Sequence, residues 1–174
     1  MLKVINGGKE PTKGSKYSAC IDLYANEDVV IGAGETVLVP LGVKIDKERL
    51  AYKAGIASNG HKHFYRTHQL NLHIRSSMSA KHGLIIANGT GIIDLDYPDE
   101  IKICLHNPIT GITQNPKSHD EYYDHFTCNN SNNYVYTIKK GDKIAQISLV
   151  EHKSYLFGVE SDNERIAGFG STDA

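Results

Sequence analysis

The chain has 174 residues, the usual size of a single domain with its own hydrophobic core. Its 19 Lys and Arg residues nearly balance 20 Asp and Glu residues, so a broadly basic surface is excluded and no nucleic-acid partner is expected. Three cysteines without a CxxC spacing indicate free thiols in a reducing compartment. The N-terminus lacks the apolar core of a signal peptide, and no run is long enough for a membrane helix. We therefore expect an intracellular, cytoplasmic protein without a membrane partner (in the host cytoplasm if the source is viral).

Short runs of β-branched and aromatic residues, separated by Gly and Asn turns, predict an all-β domain. Polar and apolar residues alternate most clearly near the end of the chain, as they do in a half-buried strand. Many short strands at this spacing favour a sandwich, barrel or jelly roll. The predicted strands are Leu2–Ile5, Ile21–Ala25, Thr36–Val39, Val43–Ile45, Leu70–Ile74, Leu84–Ile86, Glu100–Leu105, Val135–Ile138 and Ile144–Val150.

Four segments interrupt this pattern. Met78–His82 predicts one short helix, and Lys53–Gln69 and Gly111–Asn133 are interpreted as loops or small excursions inserted in the β domain. The tail from Ser161 has little to bury and predicts a mobile arm. The first insertion contains several histidines, but no paired Cys or second His set supports zinc, so a solvated loop is favoured.

Two aspartates stand two residues apart in Gly91-Ile92-Ile93-Asp94-Leu95-Asp96-Tyr97. On a strand such residues project from the same face, so the two carboxylates would lie together. The pair suits a general base that activates water beside a supporting acid, or a metal site. The alternative is the end of a strand that carries two solvated acids.

Two further groups suit an anionic ligand. Arg75, Ser76 and Ser77 precede the predicted helix, where a cation, hydroxyls and helix N–H groups would bind phosphate. An ordinary helix cap is the alternative. In the tail, Arg165 would pair with phosphate and Phe169 would stack on a base. A disordered terminus is the alternative there.

Five short segments, in this order, resemble the five motifs of the trimeric dUTPase family. The resemblance spans residues 18–172, nearly the whole chain. The third and fourth segments are the specific ones, whereas the first two alone would be weak. The segments are Ala19–Leu23, Arg75–Met78, Asn88–Tyr97, Gly141–Gln146 and Arg165–Thr172.

The resemblance implies an all-β, β-clip or jelly-roll-like single domain with a flexible C-terminal arm, assembled as a homotrimer. Residues 1–160 would form the β domain, with insertions at about 53–69 and 111–133, and residues 161–174 the arm that closes another subunit's site. The implied activity is Mg²⁺-dependent hydrolysis of dUTP to dUMP and pyrophosphate. Such an activity limits uracil incorporation into DNA and supplies dUMP for dTMP synthesis.

The resemblance also implies a role for each matched residue. Asp94 matches the general base, whose activated water would attack the α-phosphorus. Asp22 matches the acid that contacts Mg²⁺ through water, while the substrate phosphates hold most of the ion. The implied substrate-binding residues are Arg75, Ser76, Ser77, Asn88, Gly91, Ile93, Tyr97, Gln146, Arg165, Phe169, Gly170 and Ser171. Among these, Asn88 would bind uracil and Tyr97 would lie under the deoxyribose.

The chain departs from the family pattern in several places. Cys20 and Ser77 stand where the family usually has Gly, and Ile74 stands where it has Pro. The last motif is one residue short between Arg165 and Phe169, so the arm is the least secure part of the comparison.

Two other functions remain as alternatives. A related dCTP deaminase would need a catalytic Glu ten residues after Asp94, where this chain has Cys104, and it normally lacks the second aspartate. The aromatic residues of Gly111–Asn133 suggest a contact surface for another protein, which would act beside catalysis.

Overall fold

The strands of the protein form small antiparallel sheets. A computed structural model describes residues 1–108, 135–159, 161, 163, 165 and 168. Within these residues the strands are β1 (Leu2–Val4), β2 (Thr12–Lys13), β3 (Ile21–Tyr24), β4 (Val29–Ile31), β5 (Thr36–Pro40), β6 (Val43–Ile45), β7 (His68–Ile74), β8 (Ile85–Ile86), β9 (Gly91–Asp94), β10 (Lys102–His106), β11 (Tyr136–Ile138) and β12 (Lys143–Glu151).

The largest sheet has the order β2-β3-β12-β7-β9, and it carries most of the residues discussed below. The other described sheets are β5-β10-β8, β1-β6 and β11-β4. Strand β12 lies at the centre of the large sheet and pairs along its length with β7. The non-consecutive order brings segments that are distant in the sequence, such as residues 22, 75 and 146, to one end of this sheet.

The sheets share one hydrophobic core. Alternate residues of the strands point into it, as in β10, where Ile103 and Leu105 are fully buried and Cys104 between them is not. Leu23 of β3 and Leu72 of β7 are buried on the large sheet. Burial of this apolar surface at about 25 cal/mol per Å² is the main stabilising contribution to the fold. The prediction of an all-β core is confirmed.

The predicted strands recur within two residues at each end, and the alternating segment near the C-terminus becomes β12. The prediction missed β2 and β4, which are short and lie next to turn residues. Gly91–Asp94 was not among the predicted strands either, although the two aspartates were expected to lie on one. It forms β9.

Of the two interpretations of Lys53–Gln69, the structure has a small helical excursion and not a loop. Residues 47–67 contain helix α1 (Lys47–Lys53), a 3₁₀ turn at Ser58–Gly60 and helix α2 (His61–Thr67), after which β7 begins. Asp46 caps α1 by accepting a hydrogen bond from the Arg49 backbone N–H at 3.0 Å. Phe64 and Thr67 are buried on one side of α2, three residues apart, while Lys62, His63 and Arg66 are exposed. Charged residues concealed this short amphipathic pattern.

The predicted helix at Met78–His82 is confirmed as α3 (Ser76–His82), which begins two residues earlier. The predicted insertion at Gly111–Asn133 lies outside the described residues, as do most residues of the arm. None of the helices in the described part of the chain is long and apolar enough to cross a membrane.

Candidate active site

A pocket of about 160 Å³ lies between β9, the turn that precedes it, and strand β10. Gly91 of β9 is buried in its wall, where an added Cβ would lie 3.1 Å from Cβ of Leu72. A larger residue would therefore push β9 away from β7. The lining residues are Leu72, Ile86, Asn88, Gly91, Ile92, Ile93, Tyr97, Ile101, Lys102, Cys104 and Arg165.

Asp94 ends strand β9 and borders this pocket. Its carboxylate Oδ2 accepts a hydrogen bond from Nη1 of Arg165 at 2.7 Å, and its side chain is 59% exposed. Asp96 is also exposed, whereas Leu95 between them is buried, so the two acids lie on the outer side of the chain. Because Arg165 itself lines the pocket, the ion pair places the Asp94 carboxylate beside the pocket mouth.

The Tyr97 ring lies against the guanidinium of Arg165. The guanidinium carbon of Arg165 lies 5.1 Å from the centre of the Tyr97 ring, within the range of a cation–π contact. The Tyr97 hydroxyl donates to the carbonyl oxygen of Glu100 at 3.4 Å. Burial, followed by the negative charge of Asp99, raises the pKa of Tyr97, so the phenol stays protonated. Gly168 packs here without a side chain, since an added Cβ would lie 2.7 Å from the Tyr97 hydroxyl.

A second cluster surrounds Asp22 on β3. The Asp22 side chain is 9% exposed, and each carboxylate oxygen faces a cation: Nε of Arg75 lies 3.1 Å from Oδ1, and Nζ of Lys143 lies 3.0 Å from Oδ2. The Nε contact leaves the two terminal nitrogens of Arg75 for another acceptor. The cluster carries a net charge of +1, which suits an anionic ligand.

The other residues predicted to bind phosphate lie next to this cluster. Gln146 of β12 is directly opposite Asp22 in the strand register, and the Arg75 backbone N–H donates to the carbonyl of Ile144 at 3.0 Å. Ser76 and Ser77 begin α3, directly after Arg75. The structure thus brings together Asp22, Arg75, Ser76, Ser77 and Gln146.

The two clusters are not joined within one chain. Asp94 is opposite Gln69 at the start of β7, whereas Arg75 directly follows the other end of that strand. Six residue steps along an extended strand correspond to about 20 Å. Asp94 and the cluster around Asp22 therefore cannot contact adjacent groups of one small ligand on a single chain.

The sequence reasoning missed several residues of these clusters, among them two cations and a thiol. Lys102 and Cys104 line the pocket, and Lys143 pairs with Asp22. Lys143 lies within a segment that the family resemblance quoted, so its position was available as a signal. Phe169, Gly170 and Ser171 lie outside the described residues.

The described residues contain no group of three or more His, Cys, Asp or Glu side chains that could hold a metal ion. Both oxygens of Asp22 already face cations, so direct ligation of Mg²⁺ by this carboxylate does not fit. A contact through a water in the shell of an ion held by ligand phosphates does fit, because that shell needs only a nearby hydrogen-bond acceptor. The histidines of α2 form no metal site within the described residues either.

The antiparallel β fold, with a small pocket beside a paired carboxylate and guanidinium, defines an all-β protein whose pocket and cationic clusters suit a small anionic ligand. No family model matches the sequence. The chain is 31% identical over 182 residues to the deoxyuridine 5'-triphosphate nucleotidohydrolase of Wolbachia pipientis wMel, covering 98% of this chain and 93% of that protein. It is 32% identical over 170 residues to the same enzyme of Candida glabrata, covering 95% and 89%. The chain belongs to the deoxyuridine 5'-triphosphate nucleotidohydrolase (dUTPase) family.

Solved structures show the same fold. A mutant dUTPase from phage phi11 of S. aureus, described with a coordinated structural Mg(II) ion, superimposes with a TM-score of 0.62 at 19% identity and covers 98% of both chains. The dUTPase from Streptococcus mutans gives a TM-score of 0.58 at 20% identity and covers 92% of this chain and 98% of its own. At identities this low, the similarity shows only that the fold is shared.

Proposed function

We propose that this protein hydrolyses dUTP to dUMP and pyrophosphate, with Asp94 as the general base. The observation that carries the assignment is the position of the Asp94 carboxylate beside the pocket, paired with a guanidinium that lines it. The homologous enzymes carry that activity in their names. We expect it to act in the cytoplasm, where the free thiols of Cys20 and Cys104 stay reduced.

Asp94 would hold a water molecule and accept its proton as the oxygen attacks the α-phosphorus, after which pyrophosphate leaves. Phosphoryl transfer of this kind depends on positioning and on neutralising the charge of the phosphates. Arg165 would leave Asp94 and pair with a phosphate, and the free terminal nitrogens of Arg75 would pair with another. Ser76, Ser77 and Gln146 would add hydrogen bonds.

Mg²⁺ would neutralise phosphate charge and hold the triphosphate in one conformation, with Asp22 reaching its shell through water. Within the chain, the role of Asp22 is to orient Arg75 and Lys143 by its two ion pairs. This arrangement keeps two cations in place before the substrate arrives.

The pocket would take the deoxyuridine. Asn88 and the backbone between Gly91 and Ile93 offer hydrogen-bonding groups to the base edge, and unpaired groups would penalise a base of the wrong pattern. The Tyr97 ring, 8% exposed, would lie under the deoxyribose and leave little room for a 2′-hydroxyl. From the arm, Phe169, Gly170 and Ser171 would cover the base and phosphates.

The arrangement also supports a homotrimer with active sites between subunits. Asp94 and Arg75 lie about 20 Å apart along β7, so one chain cannot supply both to the same triphosphate. A second copy would contribute the cluster around Asp22 to the pocket of the first. Residues 161–174 would then form the arm that closes the site.

Mixing two inactive variants tests this assembly. Asp94→Asn chains and Arg75→Ala chains, unfolded and refolded together, would form some sites with both native residues. We expect the mixture to regain a measurable fraction of activity, while each variant alone stays inactive. A mixture as inactive as its components, with mixed oligomers confirmed by mass spectrometry, would show that each site belongs to one chain.

The activity itself is tested by measuring pyrophosphate release from dUTP, UTP, dCTP and dTTP with and without Mg²⁺. We expect release from dUTP alone, and only with the ion. Ammonia release from dCTP would instead identify the deaminase. Cys104 argues against that reaction, because it lines the pocket without the carboxylate that a deaminase needs.

A Staphylococcus bacteriophage 80alpha dUTPase among the similar structures is described as controlling transfer of virulence genes. For this chain, the aromatic residues in the sequence of 111–133 are the reason to propose a protein contact as a second role. Deleting that segment should leave dUTP hydrolysis intact and abolish binding of the partner. Complete loss of hydrolysis would assign the segment to the active site or the trimer.

A further inference from the structure

Lys102 is a cation in the pocket that the proposed mechanism does not use. It begins β10, and Cys104, two residues later on the same outer face, lines the same pocket. The residue between them, Ile103, points into the core and is fully buried. The outer face of β10 therefore forms a pocket wall with an ammonium group at one end.

Within the described part of the chain, the Lys102 ammonium forms no hydrogen bond or ion pair. The other cation of the pocket, Arg165, is paired with Asp94. Leu72, Ile86 and Ile93 make most of the surrounding wall apolar. Lys102 is half-buried and this wall offers its ammonium few polar groups, so a ligand oxygen that reaches it gains a charge-assisted hydrogen bond.

We propose that Lys102 is a specificity-determining residue of the base pocket, whose ammonium donates to O4 of uracil, the carbonyl oxygen that cytosine lacks. This inference rests on the proposed function and deepens it. Uracil presents two carbonyl oxygens, whereas cytosine replaces one of them with an amino group that is itself a donor.

Asn88 alone does not make this distinction. Its side-chain amide carries both an acceptor and donors, and rotation of the amide would fit it to either base. Lys102 has three donors and no acceptor, so rotation cannot make it complementary to an amino group. Beside the backbone groups of residues 91–93, a donor-only residue therefore adds a discrimination that the Asn88 amide does not supply.

The test compares Lys102→Met, which keeps the length of the side chain, with Lys102→Arg, which keeps a donor. Lys44→Met, on β6 outside the pocket, is the matched control. For each protein we would measure kcat/KM for dUTP and dCTP, and Kd for dUMP and dCMP by calorimetry. Thermal unfolding would confirm that each variant is folded.

We expect Lys102→Met to lower kcat/KM for dUTP and the affinity for dUMP by about 10- to 100-fold, with KM rather than kcat carrying the change. The values for dCTP and dCMP should change by less than about threefold, and Lys102→Arg should recover part of the loss. An equal loss for both bases, or no loss, would overturn the role of Lys102. Failure of the native protein to hydrolyse dUTP would overturn the proposed function instead, and the dUMP and dCMP affinities would still test Lys102.

Discussion

The Nη1 atom of Arg165 lies 2.7 Å from Oδ2 of Asp94. In the proposed mechanism Arg165 binds phosphate and Asp94 activates water, yet here the two side chains bind each other. Arg165 also lies over the Tyr97 ring, in the place proposed for the sugar. Substrate must therefore displace the guanidinium, and a phosphate offers it a new partner of the same charge as the carboxylate. The exchange would free the base at the moment when its water is needed.

Replacing Arg165 with Ala should lower kcat/KM for dUTP by about 10- to 100-fold, since a charge-assisted hydrogen bond to phosphate is lost. Arg165→Lys should recover only a small part, because an ammonium lacks the planar fork and stacks less well on Tyr97. Steady-state kinetics measures both. Arg49→Ala, at an exposed arginine of α1, is the control and should match the native protein. Full activity of Arg165→Ala would remove the arm from the mechanism.

Asp94→Asn should lower kcat by about 10²- to 10⁴-fold while dUTP still binds, because an amide accepts no proton from the attacking water. Single-turnover kinetics and calorimetry with dUTP separate the two effects. Asp28→Asn removes an acid that is paired with Lys139 on the surface and serves as the control. Normal turnover by the Asp94 variant would refute the proposed base.

Asp22→Asn should lower the free energy of unfolding by about 1–3 kcal/mol, because Arg75 and Lys143 would lose their common anion. Both cations are about one-third exposed, so solvent offsets part of the loss. Urea denaturation measures the change, and a double-mutant cycle with Lys143→Met isolates one pair. The same variant should need more Mg²⁺ for half-maximal activity. An unchanged requirement for Mg²⁺ would show that Asp22 only forms the two ion pairs and does not contact the ion's water shell.

His82 should make the protein less stable in acid. Burial, followed by the charge of Lys81, lowers the pKa of His82 below its usual value of 6.5, and its ring packs 4.7 Å from the Tyr136 ring. Below that value the unfolded chain binds a proton that the folded chain resists, so stability falls as the pH falls. Between about pH 7.5 and pH 5 the melting temperature of His82→Gln should fall less than that of the native protein. A steeper fall in the variant would contradict a lowered pKa of His82 in the folded protein.

The sequence predicted the parts of this structure that depend on local pattern. Alternation predicted β12, and the order of the five segments selected Asp94, Arg75 and Asn88 as candidate site residues, whose roles stay predictions. Helices α1 and α2 were not predicted, because only a few of their residues are buried and the histidines and lysines between them dominate the composition.

Contacts between distant segments were beyond the reach of the sequence. The pairing of Lys143 with Asp22 depends on the register of β12 and β3, and no local pattern specifies that register. In the same way, the place of Lys102 in the pocket depends on how β10 lies beside the turn before β9. Its side chain resembles any surface lysine until that neighbour is known.

The length of β7 has a consequence for how the protein behaves in solution. Asp94 lies beside one end of the strand and the cluster around Asp22 lies at the other. Under the proposed mechanism, an isolated subunit would therefore be folded but catalytically inactive. Specific activity should then depend on protein concentration and fall on dilution below the dissociation constant of the assembly. The stability of the folded subunit and the catalytic activity of the assembly would then be separate properties. The first would depend on the core of the chain and the second on its contacts with other subunits.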